Sequence, residues 1–159
     1  MKILPRLLIS LSLLLASLGC HSVRSGESGA APTTTRLESS FDFETTLSNL
    51  EAALERRPLR VFTRIDHAEG AAGAGLELTP ATLLLFGNPK VGTPVMQASA
   101  EMALDLPLRL LVAEDERGVF VLYPHMKNLA ARRGVAADHP ALVKMSSVLD
   151  AIANETTGR

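Results

Sequence analysis

The sequence predicts an α+β domain: a mostly antiparallel sheet of four to five strands with helices packed mainly on one face. Three observations predict it. Apolar residues recur at helical spacing in some segments and alternate or run together in others. Helix-type and strand-type segments follow one another along the chain. One hairpin is plain: residues 108–113 and 119–123 read as strands, joined by Asp115-Glu116-Arg117-Gly118, where Gly118 supplies a positive φ.

In chain order, residues 36–39 read as a short first strand. Ser39 or Ser40 is placed to cap a helix with Asp42 and Glu44 in its first turn. Phe43, Leu47, Leu50 and Leu54 form its apolar stripe, and Pro58 stops it. Residues 59–66 read as a strand, with Val61, Thr63 and Ile65 on one face and Phe62 and Arg64 on the other. Residues 67–75 form a short helix broken at Gly73 or Gly75. The run 81–86, apolar apart from Thr82, suits a strand buried on both faces. Residues 87–94 are dense in turn formers, and a helix over 94–103 follows. Residues 126–133 form a helix ended by Gly134. Pro140 opens the last helix, with Leu142, Met145, Leu149 and Ile152 as its stripe and Val148 widening it.

The chain has 159 residues, room for one ordinary domain after the first segments are set aside. Aromatic side chains are few, so Ala, Leu and Val must fill the core. The formal net charge is -1, which leaves no electrostatic footprint for nucleic acid. Lys2 and Arg6 precede a run over 7–18, apolar apart from Ser10, Ser12 and Ser17, too short to span a bilayer and of the length of a signal core. Residues 1–19 are therefore expected to be a signal peptide, followed by Cys20 and a Ser, Gly and Thr-rich flexible tether to residue 35, with the domain over 36–159. Ser17-Leu18-Gly19-Cys20 resembles the lipobox of bacterial lipoproteins, although its commonest form has Leu where Ser17 stands and Ala or Ser where Leu18 stands. That resemblance implies a lipid on Cys20, a membrane anchor, and residence in the cell envelope or periplasm. Cys20 is the single cysteine, so the mature domain has no internal disulfide, cysteine nucleophile or cysteine zinc site.

Several motifs occur in a fixed order: Phe62-Thr63-Arg64-Ile65-Asp66-His67, Leu76-Glu77-Leu78-Thr79-Pro80, Phe86-Gly87-Asn88-Pro89, Gly92-Thr93-Pro94 and Asp105-Leu106-Pro107. Together they resemble the domain of unknown function 302 family of small bacterial domains, over about residues 41–134. The resemblance implies a compact α+β domain and a homodimer, and no established activity. Pro58 stands where the family usually has Gly. The helix from Pro140 is expected to lie beyond the family pattern.

His67 follows Asp66 at a strand end, where an imidazole serves as acid, base, or ligand to a metal or haem iron. The plainer reading is a helix cap or a bond to a loop carbonyl. The 87–94 segment brings Gly87, Asn88, Gly92 and Thr93 ahead of a helix, an arrangement that can hold an anion on backbone N–H groups. The plainer reading is a rigid turn. Met96 is a conceivable soft metal ligand beside His67, and otherwise a core side chain. Tyr123 ends a strand and either bonds into a pocket or faces water. No serine sits in a nucleophile elbow, and the sequence requires no cofactor. Three functions are expected to compete: a binding module for a small molecule or anion, a metal- or haem-dependent redox or stress protein using His67, and a dimeric interaction protein of the cell envelope. The candidates lean away from an enzyme. The binding and redox readings both require His67, Asn88 and Tyr123 to converge on one cavity.

Overall fold

The computed structural model describes residues 31–159. The expected signal peptide, Cys20 and the tether up to residue 30 lie outside the described residues. Five strands form one antiparallel sheet: β1 (Thr34–Glu38), β2 (Arg60–Asp66), β3 (Ala81–Gly87), β4 (Leu108–Asp115) and β5 (Gly118–Pro124), in the order β1-β5-β4-β3-β2. The helices are α1 (Phe43–Glu55), α2 (His67–Gly73), α3 (Pro89–Ala98), α4 (Met126–Arg132) and α5 (Pro140–Thr157), with a short 3-10 turn over Ala100–Leu104. The α+β class and the sheet are as the sequence predicts.

The core lies between one face of the sheet and the helices. Leu84 and Phe86 of β3, Leu110 and Val112 of β4, and Val121 of β5 point into it. They meet Leu47, Leu50 and Leu54 of α1 and the predicted stripe of α5, Leu142, Met145, Leu149 and Ile152. α1 packs along α5, and α3 and α4 flank α5. Burying these side chains is the main stabilising force, at about 1.5–3 kcal/mol for each large one.

Local chemistry explains most boundaries, and several differ from expectation. α1 is capped by Asp42, not by Ser39 or Ser40: Asp42 Oδ1 accepts from the Thr45 N–H at 2.8 Å. Ser39 Oγ instead meets Thr46 Oγ1 at 2.7 Å. β1 starts at Thr34, inside the segment expected to be tether, because Thr34 and Thr35 pair with Pro124 and Tyr123. Residues just before it are also held. The His125 N–H donates to the Thr33 carbonyl at 2.7 Å, and Asn128 Nδ2 donates to the Pro32 carbonyl at 2.6 Å.

β3 is not buried on both faces. Thr82, Leu84 and Phe86 are buried, whereas Leu83 and Leu85 are only partly covered and lie outside the core cluster. An antiparallel sheet with helices on one side leaves its other face open. β2 has no buried side chain, because it is an edge strand that overhangs the helices. Its expected two-faced alternation is broken by a β-bulge between Val61 and Thr63, which adds a residue and re-aims Phe62.

The 87–94 segment is not a free-standing turn. Asn88 is an N-cap and Pro89 sits in the first turn, so the helix begins there and not at Pro94. Pro94 lies inside α3. Gly118 and Gly134 take φ of 114° and 72°, as a hairpin turn and a helix end require.

Candidate functional site

Five separated segments build one pocket of about 650 Å³ beside the bulged end of β2. The α1–β2 connection supplies Arg57, Pro58 and Leu59, and the bulge turns Phe62 toward it. α3 contributes Val91, Gly92, Thr93 and Met96; residues 106–108 form one wall; Lys144, Met145 and Val148 of α5 form another. The wall is overwhelmingly apolar. Among the described residues its lining contains no carboxylate and no histidine.

Asn88 lines this pocket, but both ends of its side chain are engaged. Oδ1 accepts from the Lys90 N–H at 2.9 Å, and Nδ2 donates to the Pro58 carbonyl at 2.9 Å. It therefore starts α3 and fastens it to the α1–β2 connection, which sets the pocket's width. Gly92 faces the wall: a Cβ there would lie 3.7 Å from Leu106 Cδ1 and 4.0 Å from Met145 Cε, ordinary contact distances. Gly87 stands behind the wall, its Cβ position 3.7 Å from the Phe62 ring.

Two cations border the cavity. Arg57 is already occupied. Its Nη1 donates to the Ala53 carbonyl at 2.6 Å, and its guanidinium pairs with Glu155, which Arg56 also bonds at 3.0 Å. These hydrogen bonds, Arg57 first, hold the Glu155 carboxyl down at about 2. Lys144 is exposed and has no ion pair among the described residues.

The other expected site residues lie elsewhere. Asp66 caps α2, accepting from the Glu69 N–H at 3.0 Å, and His67 is the exposed first residue of that helix. Both stand at the far end of β2 from Asn88, since Asp66 pairs with Thr82 while Arg60 pairs with Gly87. That strand length is about 20 Å. Tyr123 is buried on the other flank of α5, in a polar pocket of about 150 Å³ with His125, Ser146 and Asp150. Its hydroxyl donates to Asp150 Oδ1 at 3.0 Å. Burial first, then this bond, pushes the phenol up to about 12. His67, Asn88 and Tyr123 thus do not converge on one cavity, because a strand and a helix separate them, and the expected small-molecule or anion site shared by these residues falls together with the redox reading. Met96 faces the apolar pocket without His67. No group of three or more His, Cys, Asp or Glu able to hold a metal occurs among the described residues.

Asn88, Gly92, Thr93 and Met96 were visible in the sequence as candidates. Leu59, Phe62, Val91, Lys144, Met145 and Val148 were not. Met145 and Val148 carry only the periodicity of a core stripe, and Phe62 depends on a bulge that no local pattern announces.

Residues 35–152 match the family described as "Domain of unknown function DUF302". The chain belongs to this family. The DUF302 match takes in the whole pocket and most of α5, so the last helix is part of the family pattern and not an addition after residue 134. The fold is shared with the crystal structure of an uncharacterized conserved DUF302 protein from Bacillus stearothermophilus. The TM-score is 0.71 at 20% identity, covering 79% of this chain and 99% of that one. Curated relatives include the fluoride-specific ion channel FluC 1 of Brucella suis, 43% identical over 82 residues, covering 52% of this chain and 32% of that protein. FluC 1 of Brucella abortus is likewise 43% identical over 82 residues, 52% of this chain and 30% of that protein. The chain therefore matches less than a third of the length of these relatives.

Proposed function

We propose that this DUF302 domain is a binding module of another kind than the sequence suggests, one that takes a small, largely apolar molecule in the pocket between α3, α5 and the bulged end of β2, where Asn88 serves without His67 or Tyr123. The carrying observation is the pocket itself: about 650 Å³, formed by five segments and walled almost wholly by apolar side chains. That volume lies in the range of small-molecule sites. Catalysis draws no support from the lining, which lacks a base–nucleophile pair. A redox role through His67 draws none from an exposed imidazole at the opposite end of β2.

We place the module in the cell envelope, cleaved after the signal and held to a membrane by lipid on Cys20. The segment before Cys20 motivates this. Mass spectrometry of the mature N-terminus tests the anchor: a diacylglycerol adduct on Cys20 is expected, and an unmodified cysteine removes it.

The pocket is tested with the neutral fluorophore N-phenyl-1-naphthylamine. Saturable binding to the wild type is expected, with loss in Gly92→Leu. The Gly92 Cβ direction leads toward Leu106 and Met145, so a leucine there plugs the cavity, and circular dichroism checks that the variant stays folded. Undiminished binding in a folded Gly92→Leu protein overturns the assignment.

A second property, a homodimer, is favoured by the face of the sheet that the described helices leave open. Ile65, Leu83, Leu85, Leu111, Phe120 and Leu122 lie on it across four strands, outside the core cluster. Its charged edge is self-compensated: Arg36 pairs with Glu38 at 2.8 Å and Asp115 at 3.0 Å, and lies over the Phe120 ring. Apolar sheet faces of this kind pack on one another.

A further inference from the structure

We propose that the pocket takes a single-chain anionic amphiphile, a fatty-acid-type carboxylate, with its hydrocarbon tail in the apolar cavity and its head at Lys144. The inference rests on the reading of this pocket as a ligand site and names the class of ligand.

The shape of the polarity carries it. The wall formed by Leu59, Phe62, Val91, Met96, Met145 and Val148 offers an interior with almost nothing to hydrogen-bond. A sugar or nucleotide placed there would lose its water contacts without replacement. The one amide in the lining, that of Asn88, is spent on Lys90 and Pro58. Among the described residues, the charges that border the cavity are positive only. Arg57 is neutralised by Glu155, and its second bond to the Ala53 carbonyl fixes its orientation. Lys144 is left as the cation without a partner among the described residues, on the same face of α5 as Met145 and Val148. A lysine there keeps its aliphatic stem on the apolar wall and its ammonium in water. Exposed Thr93 adds a hydroxyl to the lining. One solvated cation bordering an otherwise apolar cavity complements a carboxylate on a hydrocarbon tail. A cationic amphiphile would meet Lys144 with like charge.

The test is displacement of N-phenyl-1-naphthylamine by octanoate, decanoate, dodecanoate and tetradecanoate, with dodecanol as the neutral control. Affinity is expected to rise about fourfold per methylene until the tail fills the cavity. Dodecanoate is expected to bind about fivefold more tightly than dodecanol at low salt, a preference that shrinks as salt is added. Lys144→Met, which keeps the stem and removes the charge, should abolish this preference, read as the ratio of dodecanoate to dodecanol affinity within the variant. Lys144→Arg should retain it. Equal binding of dodecanol and dodecanoate to the wild type, or a preference that survives in Lys144→Met, overturns the anionic head. Saturable dye binding that no chain length displaces overturns the amphiphile while leaving the pocket in place. Absence of dye binding overturns the pocket reading itself.

Discussion

Tyr123 is the chain's one tyrosine, so its ionisation can be followed by absorbance without interference. Burial and the bond to Asp150 raise its folded-state value to about 12, against 10.0 for an ordinary tyrosine. The protonated phenol is the form the fold prefers. Its contribution is therefore complete below pH 10 and is lost as pH rises through about 12. A titration midpoint near 12 is expected for the folded protein, moving to about 10 in urea. Tyr123→Phe should cost about 1 kcal/mol. Glu155 behaves in the opposite sense. Its value is depressed to about 2, so its contribution is present above the ordinary carboxylate range and is lost as pH falls toward 2. Because this carboxylate is well exposed, the effect is about 1 kcal/mol or less, and Glu155→Gln should flatten the acid limb of the stability curve. Residue types were readable in advance; partners were not. Nothing near Asn88 in the sequence says that its amide will be claimed by Pro58, and nothing near Tyr123 points to Asp150.

Among the elements, α3 joins fold to site most directly. Asn88→Ala removes both the cap and the tie to Pro58, and should lower stability by about 1–2 kcal/mol. Gly92→Ala should act the other way. The position is helical and a Cβ meets only ordinary contacts, so a gain of about 0.5–1 kcal/mol is expected. Urea midpoints check both. The same helix shows where sequence reading misplaces a boundary. Asn88-Pro89 serves equally well as turn and as helix start, and Pro94 reads as an opening although it lies inside the helix. The long apolar stripes of α1 and α5 suffer no such ambiguity, because several turns of consistent spacing leave one reading.

The assembled sheet presents two faces of different fate. One is covered by α1 and α5; the other carries Leu83 and Leu111 as a directly paired couple. If two copies meet through that face, Leu83→Lys or Leu111→Lys should convert a dimer to a folded monomer in sedimentation across a concentration series. A wild type that stays monomeric throughout removes the proposal. The α+β class was legible from alternating segments and one local hairpin. The order of the strands was not, since it requires the first strand to find the last.

That pairing has a consequence in time. β2, β3, β4 and β5 neighbour one another in the order in which they are made, so they can assemble as they emerge. β1 is made first, yet its partner β5 begins only at Gly118. Closing so long a loop is slow, whether the chain folds as it is made or after export. The first strand in the chain is therefore expected to be the last secured. Hydrogen exchange should find its amides, from Thr34 to Glu38, opening more readily than those of β3 and β4 at the centre of the sheet.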